Sequence, residues 1–308
     1  MDQFLAHGDK AGASDLHFLV GDRPSYRIDG SLRPVKYEPL TAADTKQICE
    51  NLMGQSLDAG LAELQEHDCS YSVERVARFR VNIYRQRGSL CCVLRVIPTK
   101  VPALDELGLP ERVRGLADEE RGLVLVTGAT GSGKSSTLAA MIDHINRGRA
   151  AHILTIEDPI EFLHTNAKSS ISQREVGPDT RSFTTALRSS LRQDPDVILV
   201  GEMRDAETID IALKAAETGH MVFSTVHTTD AAKTVGRLVS MFPAEEQQTA
   251  RLRIADNLKG AISQRLLPRA DGKGRVLAAE IMINTKTVQE NIKDRDKTSQ
   301  LKDVLEQG

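Results

Sequence analysis

Apolar and polar residues alternate cleanly from Arg78 to Tyr84, with Phe79, Val81 and Ile83 on one face and Arg78, Arg80, Asn82 and Tyr84 on the other. A period of two predicts a half-buried strand. A turn at Arg87-Gly88-Ser89 leads into a second strand, Leu90 to Ile97, whose one charge is Arg95. Upstream, Asp15 to Val20 and Ser25 to Asp29 read as strands, and Asp29-Gly30 suits a tight hairpin turn. Ala42 to Leu52 reads as a helix with Ile48 and Leu52 on a shared face, stopped at Met53-Gly54. The arginine row on the first strand is either a solvated sheet face or a basic face that touches phosphate.

Prolines at 98, 102 and 110 then break both periods. The stretch 98–110 is therefore expected to link a domain at 1–97 to another at 111–308. Beyond it, short apolar runs alternate with helical ones. Gly122 to Thr127, His152 to Ile156, Asp196 to Val200 and the segment His220 to Thr229 read as strands, while Thr137 to Asp143 and Ala206 to Thr218 read as helices. In the second of these helices Ile209, Leu213 and Ala216 form one stripe and Gly219 is the stop. This order predicts an α/β fold, with a mainly parallel sheet covered by helices.

Composition narrows the class only modestly. The 308 residues are 40% hydrophobic and 27% charged with a net charge of −3, so they are expected to fold as globular domains without a global basic field. Neither a membrane-spanning apolar run nor a signal peptide is legible, which makes a cytoplasmic location the expectation. Four cysteines, Cys49, Cys69, Cys91 and Cys92, form no C-x-x-C pair and are expected as buried free thiols.

Chemistry enters at Gly128-Ala-Thr-Gly-Ser-Gly-Lys-Ser135, a full match to G-x-x-x-x-G-K-[ST] between an expected strand and an expected helix. Such a loop turns backbone N–H groups toward phosphate oxygens at a helix N-terminus. The expected nucleotide ligands are Gly128, Thr130, Gly131, Ser132, Gly133, Lys134, Ser135 and Ser136. Lys134 would reach the β- and γ-phosphates, and the Ser135 hydroxyl would hold Mg²⁺. Hydrolysis of ATP also needs carboxylates. One source is Glu157-Asp-Pro-Ile-Glu161, at the end of a strand; another is Glu202, after the apolar run from Val197 to Val200. Glu202 would hold Mg²⁺ through water or polarise the attacking water. His227 stands at the C-terminal end of its strand and would sense the γ-phosphate or the attacking water. His220, before the same strand, reads as structural or as part of a subunit boundary.

These motifs in this order resemble the secretion ATPases of type II secretion and type IV pili. Glu157 to Phe162 is similar to that family's Asp box, Val197 to Arg204 to its Walker B box, and Ala216 to His220 through His227 to Thr229 to its His box; Gln173 to Gly177 is also typical. The resemblance spans nearly the whole chain. It implies a hexameric ring motor with a PAS-like N-terminal domain and a RecA-like ATPase domain, working at the cytoplasmic face of the inner membrane against a platform protein, without nucleic acid. It also implies that Arg80 and Arg95 close on the phosphates and that Glu161 and Glu202 are needed for hydrolysis. Ser14 to His17 and Arg27 to Gly30 resemble the pilus-retraction branch, whose members lack the long N-terminal region and four-cysteine insert of the extension and secretion branches. Against that branch, Thr287 to Lys293 lacks its Ala-Ile-Arg signature, and relatives continue past Gly308 with further helices. The alternatives are a retraction-accessory or other secretion-ATPase paralogue, a protein that holds nucleotide without turnover, against which the acids at 161 and 202 argue, and, on the same core, a nucleic-acid translocase. The latter would show strongly salt-dependent stimulation by DNA or RNA.

Overall fold

The computed structural model describes residues 1–54, 64–74, 76–98, 100–270 and 275–307. The chain divides into two units, Met1–Thr99 and Lys100–Gly308.

The first unit runs α1 (Asp2–Lys10), β1 (Asp15–Phe18), β2 (Ser25–Ile28), β3 (Ser31–Pro34), α2 (Ala42–Met53), β4 (Glu66–Val73), β5 (Ala77–Gln86) and β6 (Ser89–Ile97). Its six strands form one sheet in the order β3-β2-β1-β6-β5-β4. Every pairing is antiparallel. Two hairpin turns carry consecutive positive φ angles, Asp29 at 51° with Gly30 at 77° and Arg87 at 51° with Gly88 at 81°. Their hand matches the twist of the strands they join. Phe79, Val81 and Ile83 are fully buried, with Leu94 and Cys92 of β6 and Cys49 and Leu52 of α2 in the same cluster. Thr41 and Asp44 close a reciprocal capping box at the start of α2. None of the four cysteines, all among the described residues, is in a disulfide; Cys49, Cys91 and Cys92 are buried, whereas Cys69 is part-exposed, because it lies on the outer strand β4. Neither β3 nor β4 has a hydrophobic alternation to announce it. Every residue of β3 is exposed, and β4 is mostly polar.

The second unit runs α3 (Glu111–Ala117), β7 (Gly122–Thr127), α4 (Lys134–Gly148), β8 (His152–Glu157), β9 (Ser170–Glu175), α5 (Phe183–Ser190), β10 (Val197–Val200), α6 (Ala206–Glu217), β11 (Met221–Val226), α7 (Ala231–Ser240), α8 (Gln247–Asn257), β12 (Leu258–Pro268), β13 (Arg275–Ile283), α9 (Lys286–Lys293) and α10 (Leu301–Gln307). Its seven-stranded sheet has the order β13-β12-β7-β11-β10-β8-β9. All pairs are parallel except β12 with β13. β7 shows why its apolar run is unbroken: Leu123 and Leu125 join the cluster shared with α6, α7 and α8, while Val124 and Val126 join the one shared with α3 and α4. A strand covered on both faces has no polar face to display. Ahead of α3, Leu104 is buried in the second of these clusters, so part of the proline-rich stretch packs with this unit. Among the described residues no helix is long and apolar enough to cross a membrane.

Candidate active site

In a parallel sheet the C-terminal strand ends share one edge, and ligands bind there. β7 ends at Thr127 and passes into the glycine-rich loop, and β8, β10 and β11 end at Glu157, Val200 and Val226 on the same edge. A cavity of about 570 Å³ opens at this edge, its walls drawn from the loop, Glu157 to Pro159, Glu161, Phe162, Glu202, Arg204, His227 and the hairpin residues Leu266 and Arg275.

The loop is shaped by positive φ angles at Gly128, Gly131 and Gly133. Gly128 is also sterically obligatory. A Cβ there would come within 2.5 Å of both the Gln264 carbonyl oxygen and Ser132 Oγ. Thr130, Gly131, Gly133, Lys134, Ser135 and Ser136 line the cavity. Gly128 and Ser132 support the loop from behind, and both are buried. Lys134 is buried at the start of α4, and its Nζ donates to the carbonyls of Gly128 and Ala129, each at 3.0 Å. Burial lowers its pKa, while the nearby Glu202 and Glu161 carboxylates act to raise it. Both acids selected from the sequence therefore exert their charge on the loop lysine.

Glu202 sits two residues past β10 and is held by two bases. Arg204 Nη2 lies 2.6 Å from its Oε2, and His227 Nε2 lies 3.2 Å from its Oε1. Burial would raise the Glu202 carboxyl, but the Arg204 hydrogen bond and the His227 charge outweigh it and hold the group below the ordinary 4.5. Parallel pairing of β10 with β11 brings Glu202 and His227 together, and hydrogen bonds from Ser224 Oγ to Val200 O and from Thr225 Oγ1 to Gly201 O, each 2.7 Å, fasten the two strand ends.

Glu161 is exposed at the cavity rim. The loop that carries it contains a cis Asp158-Pro159 bond and is braced from β9. Gln173 Nε2 donates to Phe162 O at 2.9 Å, His164 N donates to Gln173 Oε1 at 2.9 Å, and Ile160 N donates to Glu175 Oε2 at 3.1 Å. The Gln173 to Gly177 segment thus has a physical task, which is to position the acid loop. Glu157 takes hydrogen bonds from Thr155 Oγ1 at 2.7 Å and Gln173 Nε2 at 3.3 Å, and burial raises its pKa.

His220 stays outside this cluster. Its Nδ1 lies 2.9 Å from Ala215 O and 3.1 Å from Thr218 Oγ1, where it caps the end of α6. Arg80 and Arg95 belong to the first unit, where they face each other across β5 and β6. Arg95 Nε donates to Asp15 Oδ1 at 2.9 Å, and both arginines border a shallow pocket with Asp68 and Asn82. Sequence reasoning missed Arg204, Leu266 and Arg275. Arg204 closes the Walker B-like stretch Val197 to Arg204, and its spacing of two from Glu202 is the available signal.

A phosphate loop on a mainly parallel RecA-like sheet, with acids at the neighbouring strand ends, defines a P-loop ATPase. The chain belongs to the family described as Type II/IV secretion system protein, which matches residues 1–306. It is similar to the type IV pilus retraction ATPase PilT of Pseudomonas aeruginosa, with 49% identity over 306 residues that cover 99% of this chain and 88% of that protein. A twitching motility protein of Neisseria gonorrhoeae is 48% identical over 285 residues, 92% of this chain and 76% of its own length. The crystal structure of the pilus retraction motor PilT with bound ADP superposes with a TM-score of 0.92 at 45% identity, covering 100% of this chain and 89% of that one. The chain is an ATPase that uses adenine nucleotide.

Proposed function

We propose that this protein is the motor subunit that powers retraction of a type IV pilus, converting hydrolysis of Mg²⁺-ATP into movement between its two units. One observation carries the reading: a chain 49% identical to a pilus retraction ATPase sets Glu161 and Glu202 around the phosphate-loop lysine. In the proposed cycle Lys134 leaves the Gly128 and Ala129 carbonyls for the β- and γ-phosphates, a stronger, charge-assisted partner. Glu202 orients the attacking water and accepts its proton, with Arg204 and His227 fixing the carboxylate and tuning its basicity. Glu161 adds a second acceptor on the water side. The Ser135 hydroxyl and, through water, Glu202 fit a hard divalent cation, and Mg²⁺ held there would offset phosphate charge.

Arg80 and Arg95 are proposed to stabilise charge on the γ-phosphate when the PAS-like unit of this or a neighbouring subunit closes on the nucleotide. The working form is a homo-hexameric ring, cytoplasmic and peripheral to the inner membrane, acting on a platform protein of the pilus machine without nucleic acid. The test is genetic. Deletion should leave abundant surface pili but no twitching, with rescue by the wild-type gene and not by Glu202→Gln. Loss of pili on deletion would assign the motor to extension and overturn the proposal.

A further inference from the structure

The acid loop leaves β8 at Glu157 and enters β9 at Ser170. Glu161 is exposed in it, so the place of this carboxylate is set by the backbone that carries it. β9 holds the outgoing half of the loop through Gln173 and Glu175. The returning half is gathered onto one residue of α4. Asn146 Nδ2 donates to Thr165 O at 2.9 Å, and its Oδ1 accepts from Ala167 N at 3.0 Å. Its backbone carbonyl accepts from Lys168 N at 2.9 Å and from Ser169 N at 3.2 Å. Asn146 is only 1% exposed although it lies in the last turn of the helix.

These partners dictate the residue type. Thr165 O needs a donor and Ala167 N an acceptor, and a carboxamide presents one of each on a single planar group. Aspartate offers acceptors only, and leucine, of similar shape, offers neither.

α4 begins at the phosphate loop, where Lys134 is its first residue. At a rise of about 1.5 Å per residue, Asn146 lies about 18 Å further along the axis. His164, just ahead of the returning half, lines the cavity; burial lowers its pKa, while Asp143, one turn before Asn146, acts to raise it. The loop is thus laid along the same helix that presents the phosphate-loop lysine.

We propose that Asn146 is a positioning residue for ATP hydrolysis: by tying Thr165 and Ala167 to α4 it holds the acid loop so that Glu161 faces the phosphate loop. Asn146 is not among the cavity's lining residues and acts only through the loop. The helix makes the spacing between Lys134 and Glu161 a fixed quantity, as a reaction sensitive to about 1 Å of misplacement requires. This inference rests on the reading of Glu161 as a carboxylate needed for hydrolysis, and the test separates the two.

The experiment is a double-mutant cycle on the full chain with Asn146→Asp and Glu161→Gln. ATP affinity is read by calorimetric titration, and hydrolysis by single-turnover rate with Mg²⁺-ATP, normalised to the titrated sites so that any unfolded fraction drops out. Asn146→Asp keeps the acceptor for Ala167 N and loses the donor to Thr165 O. It should slow hydrolysis by about tenfold to a hundredfold and leave ATP affinity unchanged. In the Glu161→Gln background the same substitution should slow it no further, because the residue acts through that carboxylate. Ser169→Ala removes a second tie of the loop, from Ser169 Oγ to Arg149 O at 2.8 Å, and serves as the probe where Asn146→Asp folds poorly. It should follow the same pattern with a smaller loss.

A full additional loss in the double variant would make Asn146 a general structural residue and overturn the proposal. Wild-type hydrolysis in Asn146→Asp, or ATP affinity that weakens in step with the rate, would overturn it as well. Glu161→Gln alone is the separate arm. Slowed hydrolysis there upholds the acid reading whatever the Asn146 variant does, and a wild-type rate would bring down both readings together.

Discussion

His227 Nε2 stands 3.2 Å from Glu202 Oε1, so two residues at the ends of neighbouring parallel strands form a single acid–base unit. The opposite carboxylate oxygen is taken by Arg204 at 2.6 Å. Glu202→Gln keeps the size and one acceptor but removes the charge and the proton-accepting oxygen. Its ATP affinity should stay near wild type while single-turnover hydrolysis falls by about a hundredfold or more, the usual contribution of a general base. Turnover within a few-fold of wild type would mean that another group activates the water.

Arg204 sets the basicity of that carboxylate. Among the forces that lower the Glu202 pKa its hydrogen bond is the largest, and burial opposes it. Arg204→Ala leaves the burial and removes the hydrogen bond, so the carboxyl pKa rises. Because Glu202, as the proposed base, must be ionised to accept a proton, the acid limb of the kcat profile should move to higher pH. A profile with the same limb in wild type and variant would show that Glu202 does not report in kcat.

Arg80 and Arg95 oppose each other across β5 and β6, an arrangement of like charges that costs energy unless an anion lies near them. Asp15 supplies part of that compensation through Arg95. A nucleotide phosphate would supply more. Arg80→Ala and Arg95→Ala should each cut kcat by at least about tenfold while ATP affinity in the Lys134 site changes little, since arginines that act on transition-state charge leave ground-state binding largely intact. Unchanged kcat in both variants would return the row to a solvated sheet face.

The legible and illegible parts of the chain differ for physical reasons. The phosphate loop fixes residue types at four of eight successive positions because backbone must approach phosphate, and β5 alternates because one face is buried while the other is not. Both constraints are local. β12 and β13 are defined by pairing with each other and with β7, and Arg275 reaches the cavity only through that register. Nothing near Arg275 in the sequence carries this information. β9 is a similar case. Its Gln173 braces the Glu161 loop by hydrogen bonds that depend on strand order, so its family-typical segment was visible and its task was not.

Asp15 offers a stability test confined to the first unit. Its buried carboxyl holds Arg95 at 2.9 Å and lies 3.9 Å from Arg27. Burial acts to raise its pKa, but the Arg95 and Ser14 hydrogen bonds bring it below the ordinary 3.8. A depressed folded pKa gives stability that is present above the unfolded value and lost as pH falls through the folded one. Asp15→Asn should therefore cost about 1.5–3 kcal/mol at neutral pH, the range for hydrogen bonds to charged groups. The difference should close as the solution is acidified below the ordinary carboxylate range. All four tyrosines lie between positions 26 and 84 and the chain has no tryptophan, so tyrosine fluorescence during urea unfolding reports this unit. A gap that persists unchanged at low pH would assign the loss to packing and not to charge.

Glu157 should behave with the opposite sign. Burial raises its pKa above the ordinary 4.5, and the neighbouring Glu161 charge adds to this, although Thr155 and Gln173 hydrogen bonds act against it. A carboxyl whose folded pKa is raised costs stability once pH exceeds its unfolded value, because the folded protein must hold a charge that its surroundings disfavour. Glu157→Gln removes that charge and keeps an acceptor for Thr155 Oγ1 and Gln173 Nε2, both of which bond the same oxygen. The contact it forfeits is the long one, 3.4 Å from Glu161 N to Oε2. Compared with wild type, the variant should gain melting temperature at pH 8 relative to pH 4, measured by circular dichroism on the full chain. A variant that instead loses ground as pH rises would show that the Glu157 charge is favourably held in the folded protein, and the acid loop would then contain a third working carboxylate.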